Sequence, residues 1–164
     1  MSYTSYKRFG KALVEWAEAN ADIVALTGHV SGTDERIWIK GGGDIMRVPS
    51  LLFDIQRTDP FMGDVDTILT STIYAIAIGR DRSEALAIIG AFFKHAAPSS
   101  TTYKDASFSS NYILTKSIMF LSLDKAGESE FDIDSVRRTE RSDTPIPERN
   151  IALMPMRITW MDTS

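Results

Sequence analysis

Any chemistry in this sequence has to start from two histidines, His29 and His95, a glycine triplet, Gly41 to Gly43, and two close pairs of aspartates. His29 lies in ALTGHVSGTDE, where Asp34 and Glu35 follow it closely enough to suggest a general base or a metal ligand. His95 lies in AFFKHAA, near the end of a helical run, where an imidazole also gains from the negative end of the helix dipole. No second histidine or cysteine stands at ligand spacing from either one, so a structural place is expected for both. Asp64 with Asp66, and Asp132 with Asp134, have the i,i+2 spacing that puts two carboxylates on one face of a strand, as a hard cation or acid/base pair would use. Neither pair is followed by the glycine and bidentate glutamate of a calcium loop. Both sit beside turn-like sequence, where solvated acids are expected.

The triplet in KGGGDIMR raises the question of a phosphate cradle. Neither GxGxxG nor GxxxxGK[ST] is present, and the residues that follow read as a strand rather than a helix N-terminus, so the main anion-binding device is missing. The expectation is a loop with freedom to fit a neighbour. GxSxG, HExxH and CxxC are absent as well, which leaves nucleophilic and zinc-hydrolase chemistry without their signatures. No enzyme, metal or cofactor is expected. The competing reading is a small enzyme or ligand-binding domain built on His29, Asp34 and the glycine loop.

Composition narrows the classes further. At 164 residues, 43% hydrophobic and 24% charged, the chain fits one domain able to bury a sizeable core. A net charge of −4, with the basic residues not gathered on one helix, argues against gripping nucleic acid through phosphates. The absence of cysteine excludes disulfides and thiolate metal sites and fits a reducing compartment. The start, MSYTSYKRFGKALVEW, is polar without an apolar h-region, and no apolar run approaches the ~18 residues of a membrane span.

The elements that must position these groups follow from periodicity. Phe9, Leu13, Trp16, Ala17, Ala21 and Val24 predict an amphipathic helix within Tyr6 to Ala25, interrupted near Asn20 and Asp22, with a turn at Thr27-Gly28. Arg36 to Ile39 is a short strand. Val48 to Arg57 alternates with Leu51, Phe53 and Ile55 on one face, and Pro49 confines it to an edge or a strand start. A turn at Thr58 to Gly63 leads into the long strand Val65 to Gly79, forming a hairpin. A helix over Glu84 to Ala97 is expected, with Ser83 as N-cap and a stripe of Leu86, Ile89, Gly90, Phe93 and Ala97. A polar serine and threonine stretch runs from Ala97 to Asn111, followed by a strand over Tyr112 to Leu123 and a last strand over Asn150 to Asp162. The fold class is α+β, a mostly antiparallel sheet with helices packed on one face, in a single domain spanning 1–164. A doubly wound fold is excluded by the short link between the two central strands.

Between the last strands lies a charged segment, about 124–149. Within it VRRTERSDTPIPER interleaves Arg137, Arg138, Arg141 and Arg149 with Glu140, Asp143 and Glu148. Alternating signs suit self-complementary contact between copies of one subunit better than a phosphate patch. Gly41, Gly42, Gly43, Arg137, Arg138, Glu140, Arg141 and Asp143 are therefore the expected interface residues.

An amphipathic helix, a run ending in RIWI, a glycine loop, the proline-led strand VPSLLFDIQR, a long Thr/Ile strand, one helix and a final strand MPMRITW occur in that order. This order resembles the tail terminator or tail completion proteins of tailed bacteriophages. The resemblance implies an α+β subunit that closes into a homo-hexameric ring around a channel through which DNA passes. The ring would cap the tail tube, stop its polymerisation and join the tail to the head-tail connector, in the virion neck, after assembly in the host cytoplasm. It implies contact loops at Ile39 to Met46, Ser99 to Asn111 and Asp124 to Glu148. Another neck or baseplate ring protein would share these features. Six copies at −4 each make an acidic ring that repels passing DNA from its wall, as a conduit requires.

Overall fold

Period-2 alternation builds the centre of the molecule. The computed structural model describes residues 3–41, 46–60, 68–97, 112–113, 117–126, 131–137 and 144–163. Strands β2 (Ser50–Pro60) and β3 (Ile68–Ile78) form the expected antiparallel hairpin, with Leu51 opposite Ala77 and Ile55 opposite Ile73. The register shifts between Ile55 and Arg57, which leaves Gln56 as an extra residue, a bulge. Strand β1 (Ile37–Ile39) runs parallel to β2, and Pro49 stands just before β2 begins, at a strand start as its missing amide requires.

The last strand in sequence, β6 (Ile151–Asp162), lies in the middle of the sheet, between β3 and β5 (Ile118–Lys125). With β4 at Tyr112–Ile113, the full order is β1-β2-β3-β6-β5-β4, antiparallel except at β1. The single strand expected over Tyr112 to Leu123 is instead two: β4 (Tyr112–Ile113) and β5 pair antiparallel, Tyr112 opposite Phe120. A run of strand-forming residues does not reveal where the chain folds back on itself. The α+β class with a mostly antiparallel sheet is as expected.

Helix α1 (Tyr3–Glu18) buries Phe9, Leu13, Trp16 and Ala17 on the sheet, the stripe its spacing predicts. It ends as expected before Asn20, whose side chain caps α2 (Ala21–Thr27) by accepting from the amides of Asp22 at 3.0 Å and Ile23 at 3.1 Å. Gly28, at φ 70, closes α2 in the left-handed conformation that suits glycine.

Helix α3 (Arg82–Ala96) corrects two expectations. Its N-cap is Asp81, not Ser83: the Asp81 carboxylate accepts from the Glu84 amide at 2.8 Å. Both residue types cap helices, and the extended backbone at Asp81 decides between them. The most buried residues of the helix are Ala85, Ile88, Phe92 and Ala96, whereas of the expected Leu86, Ile89, Gly90, Phe93 and Ala97 only Ala97, just past the helix, is fully buried, Ile89 and Phe93 pack partly against the core, and Leu86 is exposed. ALAIIGAFFKHAA is apolar on nearly every side, so its own pattern does not single out a face.

Helices α1, α2 and α3 pack into one core cluster on one face of the sheet. The second face carries Leu52, Tyr74, Ile76, Ile78 and Ile151, and it is covered by Phe131, Ile133, Val136 and Ile146 of the charged segment. That segment is partly a strap, with a 3-10 turn at Ile133–Val136, rather than a loop throughout.

Candidate functional site

The end of α1, the cap of α2 and the start of β1 converge on His29. Residue His29 is only 6% exposed. Its Nδ1 accepts from the backbone amides of Arg36 at 2.9 Å and Ile37 at 3.2 Å, which leaves the ring proton on Nε2. Nε2 donates to Glu18 Oε1 at 2.9 Å, and Glu35 Oε2 lies 3.7 Å away. Asp34, expected beside His29, turns instead to Arg36 at 2.8 Å and Arg47 at 3.5 Å. The hydrogen bond from Arg36 holds its carboxyl below the usual aspartate range.

Glu18, His29 and Glu35 bring three ligand-type atoms within 4.8 Å of one another. The tautomer rules against their use on a metal. A ligating imidazole donates its second ring N–H outward, whereas here the second nitrogen already faces two amide donors. Nε2 would have to coordinate after losing its only proton. The His29 corner is a junction that satisfies the amides at the entry to β1.

The glycine loop follows β1 and leads to β2, with Gly41 described and Gly42 and Gly43 outside the described residues. Among the described residues that follow, from 46 to 60, there is no helix N-terminus. The Lys40 amide donates to Phe53 O at 2.8 Å, which anchors the loop's first end to β2.

The charged segment gives the most informative geometry. The Ile146 amide donates to Arg137 O at 2.8 Å, and Arg137 Nε donates to Ile146 O at 2.7 Å. These two bonds close the base of residues 138–145. Arg137 also pairs with Asp134 at 2.9 Å and lies 3.8 Å from Glu148. Of the residues expected at an interface, Arg137 is thus the clip that fixes the strap. Arg138, Glu140, Arg141 and Asp143 lie outside the described residues, all within the stretch that the clip closes. The charge pattern of the segment does not mark its anchors Phe131, Ile133, Val136 and Ile146. Their signal was there, as isolated apolar residues spaced through an otherwise polar run.

Elsewhere the structure brings no second site together among the described residues. His95 Nε2 donates to Trp16 O at 2.8 Å, tying α3 to α1, and burial lowers its pKa below the ordinary 6.5 against the opposing effect of that bond. Asp132 and Asp134 are exposed on the strap, while Asp64, Asp66 and the stretch 98–111 lie outside the described residues. No helix among the described residues is long and apolar enough to cross a membrane.

Compared with known proteins, the chain matches no family model and no curated protein. Among solved structures it is similar to the one described as "Structure of bacteriophage SPP1 gp17 protein", at 12% identity over 98% of this chain and 94% of that chain, with a TM-score of 0.41. An overlap that loose carries no functional argument.

Proposed function

We propose that this chain is a structural subunit of a tailed-phage neck, a homo-hexameric ring that caps the tail tube, stops its polymerisation and joins it to the head-tail connector around a DNA channel. The reading grows from the order of elements and the motifs quoted above. The single observation that carries it furthest is the strap. A charged stretch whose two ends are pinned to the second sheet face by apolar anchors and by the Arg137–Ile146 bonds starts from a fixed base. A heterologous ring needs such mixed-sign patches placed reproducibly on each subunit. On this reading the function is one of assembly, and His29, both of whose ring nitrogens are hydrogen-bonded, serves as a brace.

The test is native mass spectrometry and negative-stain imaging of the purified protein, alone and with tail tubes. A sixfold ring with a central hole, seated on tube ends, is the expected result. A chain that neither closes into rings nor binds tube ends overturns the proposal.

A further inference from the structure

The two ring nitrogens of His29 make opposite demands on a proton. Nδ1 accepts from the amides of Arg36 and Ile37, which only the neutral ring can do, because the protonated ring donates from both nitrogens. Nε2 faces two carboxylates, Glu18 Oε1 at 2.9 Å and Glu35 Oε2 at 3.7 Å, and Glu35 is held there by the Gly32 amide, which donates to its Oε1 at 2.7 Å. The carboxylates favour a charged ring, and the amides oppose it where the ring now stands. The side chain is only 3% exposed, so little water reaches it to soften the conflict. The other charges near the ring lie on the same turn: Asp34 adds to the attraction, and its partners Arg36 and Arg47 offset it. From α2 the ring's neighbour is uncharged, the Thr27 hydroxyl accepting from the His29 amide at 3.4 Å.

We infer that His29 is a proton-operated latch on β1: a protonated ring lets go of the Arg36 and Ile37 amides, stays paired with Glu18 and Glu35, and frees the edge strand locally. The proton comes from water and enters at Nδ1, the nitrogen that has none. Its N–H then points at two other N–H groups, so the ring turns away, and the carboxylates hold it from the far side. What is released is small enough to open by itself. Strand β1 has three residues, Ile37–Ile39, and lies at the edge of the sheet. Its pairing starts where Arg36 O accepts from the Leu51 amide at 2.8 Å and ends where the Lys40 amide donates to Phe53 O at 2.8 Å, at the entry to the glycine loop. Elements with few bonds of their own open at a lower free energy than the whole fold. The latch is a property of the isolated subunit and does not depend on the ring reading.

Amide hydrogen exchange of the full chain, followed by NMR from about pH 7.5 to about pH 5, is the test. After correction for the intrinsic pH dependence of exchange, protection at Arg36 and Ile37 should fall roughly tenfold or more on acidification. Ile73 and Ile158, in the central strands, should keep theirs. The imidazole nitrogen shifts of the wild type should show a proton on Nε2 alone at the upper end, and on both nitrogens where protection is lost. His29→Asn offers a side-chain oxygen to the same amides and takes up no proton, so its protection there should not change with pH. His95 is present in both chains and cannot account for a difference between them. Protection at Arg36 and Ile37 that is equal at both ends of the range overturns the inference. So does a loss shared by His29→Asn, a loss in step with Ile73 and Ile158, or a doubly protonated ring with both amides still protected. Rings on tail tubes are scored separately, so either proposal can fail alone.

Discussion

Phe9 of the first helix and Trp160 of the last strand stack with ring centroids 4.4 Å apart and planes within 5°. Phe120 of β5 meets Phe9 edge-on at 5.8 Å, and Trp160 Nε1 donates to Ser71 Oγ at 2.9 Å, whose oxygen also shares a hydrogen bond with Thr58 at 2.8 Å. Helix α1 and strand β6 are thereby joined through the core, and the Arg8–Asp162 ion pair, partly buried, repeats the link. Phe9→Ala or Trp160→Ala should cost about 3–5 kcal/mol, the range for truncating a large buried aromatic. Urea unfolding measures this, and a loss under about 1 kcal/mol would show that the stack is not central.

His29→Ala should destabilise by about 1–3 kcal/mol, because the amides of Arg36 and Ile37 lose their acceptor in a buried corner. The same corner should ignore metal. Thermal melts with added zinc or with EDTA are expected to superimpose, and a zinc-dependent rise lost in the His29→Ala variant would contradict the tautomer argument.

His95 ties stability to pH. Its pKa in the folded state lies below the ordinary 6.5, chiefly because of burial. Below about pH 6.5 the unfolded chain therefore binds a proton that the folded chain resists, so stability falls as pH drops towards the folded value and is fully present above 6.5. Asp34 and Glu84, each lowered first by a hydrogen bond from an arginine, lose their contributions only further down, below the ordinary 3.8 and 4.5. Melting temperatures of wild type and His95→Gln between pH 5 and 7.5 should converge on acidification. Parallel curves would remove His95 as the cause.

The two glycines near and within α3 should respond in opposite directions. At Gly79 an added Cβ would stand 2.5 Å from the Ala85 amide nitrogen and 2.7 Å from Asp81 O, backbone that cannot yield cheaply. Gly79→Ala should destabilise by several kcal/mol, on the order of an overpacked core site. Gly90→Ala, with open space around it, should raise stability by up to about 1 kcal/mol through helix propensity. Denaturant midpoints of the two variants on the same side of wild type would contradict this.

The strap separates packing from assembly. Val136→Asp puts a charge into the cluster against Tyr74 and Ile76 and should lower the melting temperature sharply. Replacing Arg138, Glu140, Arg141 and Asp143 together by serine should leave the melt of the isolated subunit unchanged and abolish ring formation on tail tubes. Normal rings from that fourfold variant would remove the charged stretch from the interface.

Local pattern in the sequence was enough for the strand faces, the first helix, the hairpin and the α+β class. In Leu51, Phe53 and Ile55, and along Ile68–Ile78, side chains alternate by covalent geometry, so the buried set is written at period 2 wherever a face is apolar. The failed phosphate and hydrolase motifs were also legible, since those chemistries need fixed spacings. Tertiary structure alone decided the rest. Which side of α3 is inside depends on the sheet it meets, because Leu86 and Ile88 are equally apolar. Whether His29 is a ligand or a brace depends on two amides seven and eight residues away reaching Nδ1. That β6 enters the sheet between β3 and β5, and that Phe131, Ile133, Val136 and Ile146 fold a charged run onto the second face, follow from long-range burial. No window of neighbouring residues contains the partner surface that makes such burial favourable.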